Sequence, residues 1–411
     1  MKRTHNHARR SLIRLAALGL AGLSLSLSSC TSSGSENNNA ETAASDNKTP
    51  NTETAMVYVG TYAEPDSESI FLYSLNPESG ELTCVSAAKG GENPSFLVLD
   101  GERQYLYAVN ETMEYEGQNS GAVSAFSVDE KSGNLTFLNK VASKGGAPCH
   151  ISVDEANKTV LVANYMGGNV AAFQIQENGQ LSEASDIEQH TGTGPNQERQ
   201  EAPHAHYIAP DPQNKFVISV DLGADKVLAY RLDSNSGALT PNEPATAYTS
   251  KPGTGPRHLA FHPNGRYAYV INELNSTMTA LTYDANKGTF TETETVSTIP
   301  AGFNENNQCA EVKVSPDGKF LYGSNRGHNS IVVYAINEST GKLSVVQHVG
   351  TNGDWPRDFA IDQTGNVLLV ANERSNNIVS FKIDKATGKL TATGYEVEVN
   401  KPVCLQVTSA F

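Results

Sequence analysis

Several things are scarce in this chain of 411 residues, and each scarcity closes off a class of function. Basic residues are few: 30 Lys and Arg stand against 45 Asp and Glu, a formal charge of −15. Nucleic acid and anionic membrane surfaces demand clustered cations, so neither is expected as a partner. A small anionic substrate stays open, because a handful of local arginines can dominate one pocket. Cysteine occurs only 5 times, with no CxxC and no Cys/His metal spacing, so neither a metal nor another cofactor is expected. Cys84, Cys149, Cys309 and Cys404 fall mostly in strand patterns and read as small buried apolar side chains. Tryptophan appears once, as Trp355. Beyond residue 27 there is no long apolar run and no helical period, which argues against a helical bundle or a spanning helix.

What is present begins with a leader. A basic stretch, Met1 to Arg14, precedes the apolar run Leu15 to Leu27, which is too short for a stable span and has the form of a signal peptide. It ends in Leu27-Ser28-Ser29-Cys30, which resembles a bacterial lipobox with Cys30 as the lipidated residue. The expected organisation is a signal peptide over 1–29, a disordered Ser/Asn/Thr/Glu tether over 30–54 and one folded domain over 55–411. Such a protein is exported and held at the cell envelope by its lipid alone.

The rest is a repeat. Gly255-Pro256-Arg257-His258-Leu259-Ala260-Phe261 reads as a strand, Pro263-Asn264-Gly265 as a tight turn, and Tyr267 to Ile271 as a second strand. The same hairpin recurs at Pro94, Pro148, Ala205, Cys309 and Pro356. Each second strand ends in Asn or Asp, at 110, 164, 221, 272, 325 and 372, a period of about fifty, as in propeller repeats. A third strand follows, then a turn such as Ser132-Gly133-Asn134-Leu135, then a fourth. Val57 to Tyr62 matches a second strand and Pro402 to Val407 a first, so the two ends supply halves of one more unit. The expected fold is all-β: a seven-bladed propeller of four-stranded antiparallel blades, closed by pairing of the N- and C-terminal strands.

The strings Gly-Pro-Arg-His-Leu-Ala-Phe-His-Pro-Asn-Gly (255–265), Ser324-Asn325-Arg326-Gly327-His328 and Pro356-Arg357-Asp358-Phe359 resemble the seven-bladed lactonase family, of the 6-phosphogluconolactonase and carboxy-muconate cyclase type. The resemblance covers about residues 56–411. It implies a lactone hydrolase of the 6-phosphogluconolactonase kind whose site is made by His204 or His206, Arg257, Glu273 and Arg326, and the chain is expected to act as a monomer.

The repeat register reaches a similar site independently. Residues just after each repeat's first position, and the residue after each Asn or Asp, should meet at one mouth of the central channel. Lactone hydrolysis needs a base for water and donors for the developing oxyanion. Glu273 or His206 is the candidate base; Arg257 and Arg326 are candidate oxyanion or anion binders. His204, His150, Glu311 and Arg357 are candidate substrate-binding residues. Glu273 has a structural alternative, as an interblade ion pair with Arg326 or Arg257. His258 is expected to face away from Arg257 or to bond between blades, His262 to be structural, and Trp355 to pack near a blade edge or serve as a sugar platform. A non-catalytic carbohydrate- or protein-binding propeller and a muconate-type cycloisomerase are the rival functions.

Overall fold

The computed structural model describes residues 54–411. The expected signal peptide, the lipidated Cys30 and the tether up to residue 53 lie outside the described residues. Within them every regular element is a strand, and the strands form seven sheets of four.

Blade 1 holds Ala55–Thr61, Ile70–Leu75 and Leu82–Ala88, with Pro402–Ser409 as its innermost strand. Blades 2 to 7 follow in chain order, each running from inside outward. Their inner strands are Phe96–Leu99, Pro148–Val153, Ala205–Pro210, Pro256–Phe261, Gln308–Val314 and Pro356–Ile361. Successive inner strands pack side by side and line a central channel. Closure is by antiparallel pairing of the first and last strands, with Ala55 opposite Ser409 and Thr61 opposite Pro402. The inner edge that an incomplete first sheet would leave is thereby filled.

No single core exists. Seven apolar clusters each lie between two neighbouring blades, as where Tyr269 and Ile271 of blade 5 meet Leu321 and Tyr334 of blade 6. Strands buried on both faces need apolar side chains at consecutive positions, which is why Tyr267–Asn272 and Val367–Asn372 are buried throughout. A tyrosine in the second strand also latches four of these interfaces. The hydroxyls of Tyr58, Tyr107, Tyr269 and Tyr322 donate to the carbonyls of Gly133, Gly179, Gly341 and Gly388, each in the outer turn of the next blade. The repeating Asn series bonds to backbone as its recurrence suggested: Asn110, Asn164, Asn325 and Asn372 donate to main-chain carbonyls. His262 is likewise structural, its ring bridging to the Gly318 carbonyl of blade 6. Cys149, Cys309 and Cys404 are buried thiols, whereas Cys84 is only half-buried, because it sits on an outer strand.

Candidate active site

The inner strands aim their side chains by a shared irregularity. In blade 5 Pro256 pairs with Asn272 and His258 with Ile271, which leaves Arg257 as an extra residue. The same bulge holds Cys149, His206 and Arg357 in blades 3, 4 and 7. A regular strand sends neighbours to opposite faces; a bulge bends the strand and re-aims them. Arg257 and His258 therefore both enter the channel, with Arg257 Nη1 3.3 Å from His258 Nε2. The expectation that His258 turns away fails for this reason, while its bond between blades is present: Nδ1 is 2.8 Å from Glu311 Oε2 of blade 6.

A second repeated device fixes the rim. The residues before the inner-strand prolines, Asn93, Ala147, Gly255, Trp355 and Lys401, all have φ between 43° and 67°. That left-handed turn points each carbonyl at the end of the neighbouring second strand, where it accepts the N–H of Glu111, Tyr165, Glu273, Glu373 and Tyr62 respectively. One backbone bond thus hangs one rim side chain in each of five blades.

At the centre of the mouth Glu273 meets three arginines. Its Oε1 is 2.5 Å from Arg199 Nη2, and its Oε2 is 2.7 Å from Arg326 Nη2 and 3.2 Å from Arg257 Nε. Burial alone would push this carboxyl up, but Arg326, Arg257 and Arg199 overcome it and hold it at about 2. Arg257 is brought down to about 10, by burial and then by Arg326 and Arg357. Three guanidinium groups on the one Glu273 carboxylate leave formal positive charge at the floor of the mouth, which an anion would offset. Arg257 Nη1 donates to the Ala310 carbonyl at 2.8 Å, and Arg326 Nη2 to the Cys309 carbonyl at 2.9 Å. Among the described residues no partner bonds Arg257 Nη2 or Arg326 Nη1.

His206 is buried beside this group, its ring 5.5 Å from that of Tyr165 and 5.1 Å from that of His258. Its Nδ1 is 3.6 Å from Cys149 Sγ, and Nε2 has no bond among the described residues. Burial, then the charge of Arg257, keeps the imidazole well below its usual pKa and so neutral. His204 does a different job. It stacks on Tyr165 at 4.4 Å and is tied to the Tyr165 carbonyl and to Glu201, bracing the tyrosine from behind.

Across the mouth Arg357 lies over the Tyr62 ring at 5.2 Å and 3.8 Å from Glu111, which also accepts from the Tyr62 hydroxyl. Trp355 is at this rim and not at a blade edge. Arg374 stacks 3.4 Å from its ring centroid and Arg326 lies 5.5 Å from it. His328, by contrast, is half-buried against Phe303 and bonded to Ser330.

Not every expected residue reaches the mouth. Glu311 and His150 line a separate chamber of about 270 Å³ further down the channel, with Phe96, Tyr207, Lys313 and Asp358. Being second after the repeat's first position, they fall on the lower side of the bulge. Arg199 was missed altogether. It arrives on the connection between Leu181–Gln189 and Ala205–Pro210, which is longer than the matching connections of the other blades, so the added residues have no register to read.

Comparisons with known proteins agree with this architecture. A family profile described as "Lactonase, 7-bladed beta-propeller" matches residues 56–407. A 6-phosphogluconolactonase of Bacillus subtilis (strain 168) is 42% identical over 349 residues, covering 85% of this chain and 97% of the relative. A crystal structure of a putative 6-phosphogluconolactonase from Bacteroides fragilis superposes with a TM-score of 0.81 at 34% identity, covering 88% of this chain and 100% of the other. A periplasmic gluconolactonase of Pseudomonas aeruginosa gives 0.80 at 31% identity, covering 86% and 99%.

Proposed function

The chain belongs to the seven-bladed β-propeller lactonase family, and from that premise we propose that it hydrolyses an anionic sugar lactone, 6-phospho-D-glucono-1,5-lactone, to 6-phosphogluconate. The observation that carries this reading is the floor of the mouth: two guanidinium groups, Arg257 and Arg326, clamped by Glu273 beside a neutral imidazole, His206.

Water adds to the ester carbonyl of the ring. His206 Nε2, uncharged and unbonded, takes the proton of the attacking water. The carbonyl oxygen gains charge and is met by the free edges of Arg257 and Arg326, which are fixed before the substrate arrives and lose nothing in turning toward it. The tetrahedral adduct then collapses, the ring C–O bond breaks, and the imidazolium returns its proton to the leaving ring oxygen. Glu273 holds the arginines; with a carboxyl at about 2 and all three guanidinium groups upon it, it makes a weak base. Arg357, with Arg199, offers forks for the phosphate. The hydrolase assignment, carboxylic ester hydrolysis, rests on these roles. Export and a lipid anchor at Cys30 belong to the same proposal, supported by the leader's composition and by the likeness to a periplasmic enzyme. A monomer fits a site built within one ring.

Acid release from 6-phosphogluconolactone, glucono-1,5-lactone and a neutral lactone without hydroxyls, each corrected for spontaneous opening, tests the reading. Turnover should be fastest on the phosphorylated sugar. Rates no higher than the buffer's on all three would leave a binding propeller as the better account.

A further inference from the structure

We infer that Glu311 and His258 form a positioning chain behind Arg257, holding its guanidinium so that Nη2 is presented to the lactone carbonyl; this rests on the function proposed above. The chain starts in the lower chamber and ends at the mouth. Glu311 is held well below the usual carboxylate range, since Lys313 and His258 outweigh its burial, so it has no proton to give. The 2.8 Å bond to His258 Nδ1 therefore places the ring proton on Nδ1. Burial brings His258 down to about 4, so the ring is neutral and its Nε2 keeps a lone pair. That lone pair faces Arg257 Nη1 at 3.3 Å, while the same Nη1 donates to the Ala310 carbonyl at 2.8 Å. Nε, for its part, sits 3.2 Å from Glu273. Nε has no hydrogen-bond partner among the described residues and is held there only by that ion pair, so the two contacts at Nη1 do most of the aiming; because a guanidinium is planar, they set where Nη2 points.

The support behind His258 continues around the ring. The Glu311 N–H donates to Ser324 Oγ at 3.0 Å. Its Oε1 is 3.5 Å from Lys313 Nζ, which is 3.9 Å from Asp358 Oδ1. Asp358 in turn accepts the N–H groups of Phe359 and Leu405, at 2.8 and 2.6 Å. The imidazole itself is packed by the rings of His150, His206, Tyr207 and Phe96, at 5.1 to 5.9 Å. A carboxylate–imidazole–guanidinium series so constrained explains why His258 and Glu311 share the channel with the reacting groups yet stand outside the mouth. Neither touches substrate; both act through Arg257.

The experiment compares His258→Phe, His258→Gln, Glu311→Ala and Glu311→Gln for lactone hydrolysis, in the wild-type and in the Arg257→Lys background. His258→Phe and Glu311→Ala should lower kcat by about 10- to 100-fold with KM changed by less than about twofold, the signature of a misaimed oxyanion donor. Glu311→Gln, which still accepts from Nδ1, and His258→Gln, whose amide oxygen can face Nη1, should recover to within about fivefold of wild type. In Arg257→Lys, His258→Phe should cost nothing further. Equal losses in both backgrounds, wild-type kcat in His258→Phe, or no recovery in the two Gln variants would overturn the chain. Should His258→Phe fail to fold, the two Gln variants against Glu311→Ala decide. A wild-type protein with no lactonase activity sinks the functional reading and the chain with it; an active wild type with indifferent variants sinks the chain alone.

Discussion

Oε2 of Glu273 in blade 5 lies 2.7 Å from Nη2 of Arg326 in blade 6, so a carboxylate from one sheet positions a cation delivered by the next. With Arg257 and Arg199 on the same carboxylate, the group acts as the keystone of the mouth.

Acid stability should follow from that arrangement. A Glu273 carboxyl at about 2, against an ordinary 4.5, is depressed in the folded state. Its contribution is therefore fully present above about 4.5 and is lost as pH falls toward 2, amounting to roughly 3 kcal/mol by linkage. Urea unfolding of wild type and Glu273→Gln at pH 7, 5 and 3 checks this. The variant should be less stable at pH 7, and the gap should narrow at pH 3. A gap independent of pH would contradict the pairing.

His206→Asn should lower kcat by about 10²- to 10⁴-fold with little change in KM. Because burial and Arg257 keep the imidazole well below 6.5, activity should not fall as the pH drops through 6.5. A pH–rate profile on a slowly opening lactone reads this directly. An acid limb centred at 6.5 that vanishes in His206→Asn would mean a solvent-like imidazole and a different environment for the base.

The outer turns should tolerate no side chain. Gly341 has φ +69°, and a Cβ there would lie 2.5 Å from the Tyr267 ring. Gly341→Ala should cost about 1–3 kcal/mol through strain and clash. Tyr269→Phe, which only removes the hydroxyl bonded to Gly341, should cost about 1 kcal/mol. Thermal melts give both; equal stability in Gly341→Ala would show that the blades can part to admit a methyl.

Ring closure should be indispensable. Deleting residues 402–411 removes the inner strand of blade 1 and bares the whole edge of Ala55–Thr61. The truncated chain should be insoluble or associate in proportion to concentration, as seen by size-exclusion chromatography. A stable truncated monomer would show that six complete sheets suffice.

The propeller was legible because its signal is additive. A hairpin ending in Asn110 or Asn272 is weak evidence alone, but the same spacing through the chain fixes blade count, strand order and closure. The floor of the mouth was legible for a related reason: Arg257, Glu273 and Arg326 occupy repeat positions that the fold must bring together. What escaped notice lies outside that register or in what the register does not set. Arg199 sits on a lengthened connection, and the Trp355–Arg374 stack occupies repeat positions that hold Gly255 and Leu274 in blade 5, so the register pairs the two sites but only the residue types of blade 7 make a stack. The split of Arg257 from Glu311 and His150 depends on bulges, which are matters of backbone twist that no residue type announces. His258 shows this best, since simple alternation sends it out of the channel that it in fact enters.

One geometric detail bears on how the molecule can be handled. The first strand runs from Ala55, beside Ser409, toward Thr61 and Pro402 at the rim, so polypeptide attached ahead of Ala55 joins the face remote from the mouth. A bead or chip coupled directly at Ala55 would therefore sit on that side and leave the arginines of the mouth uncovered.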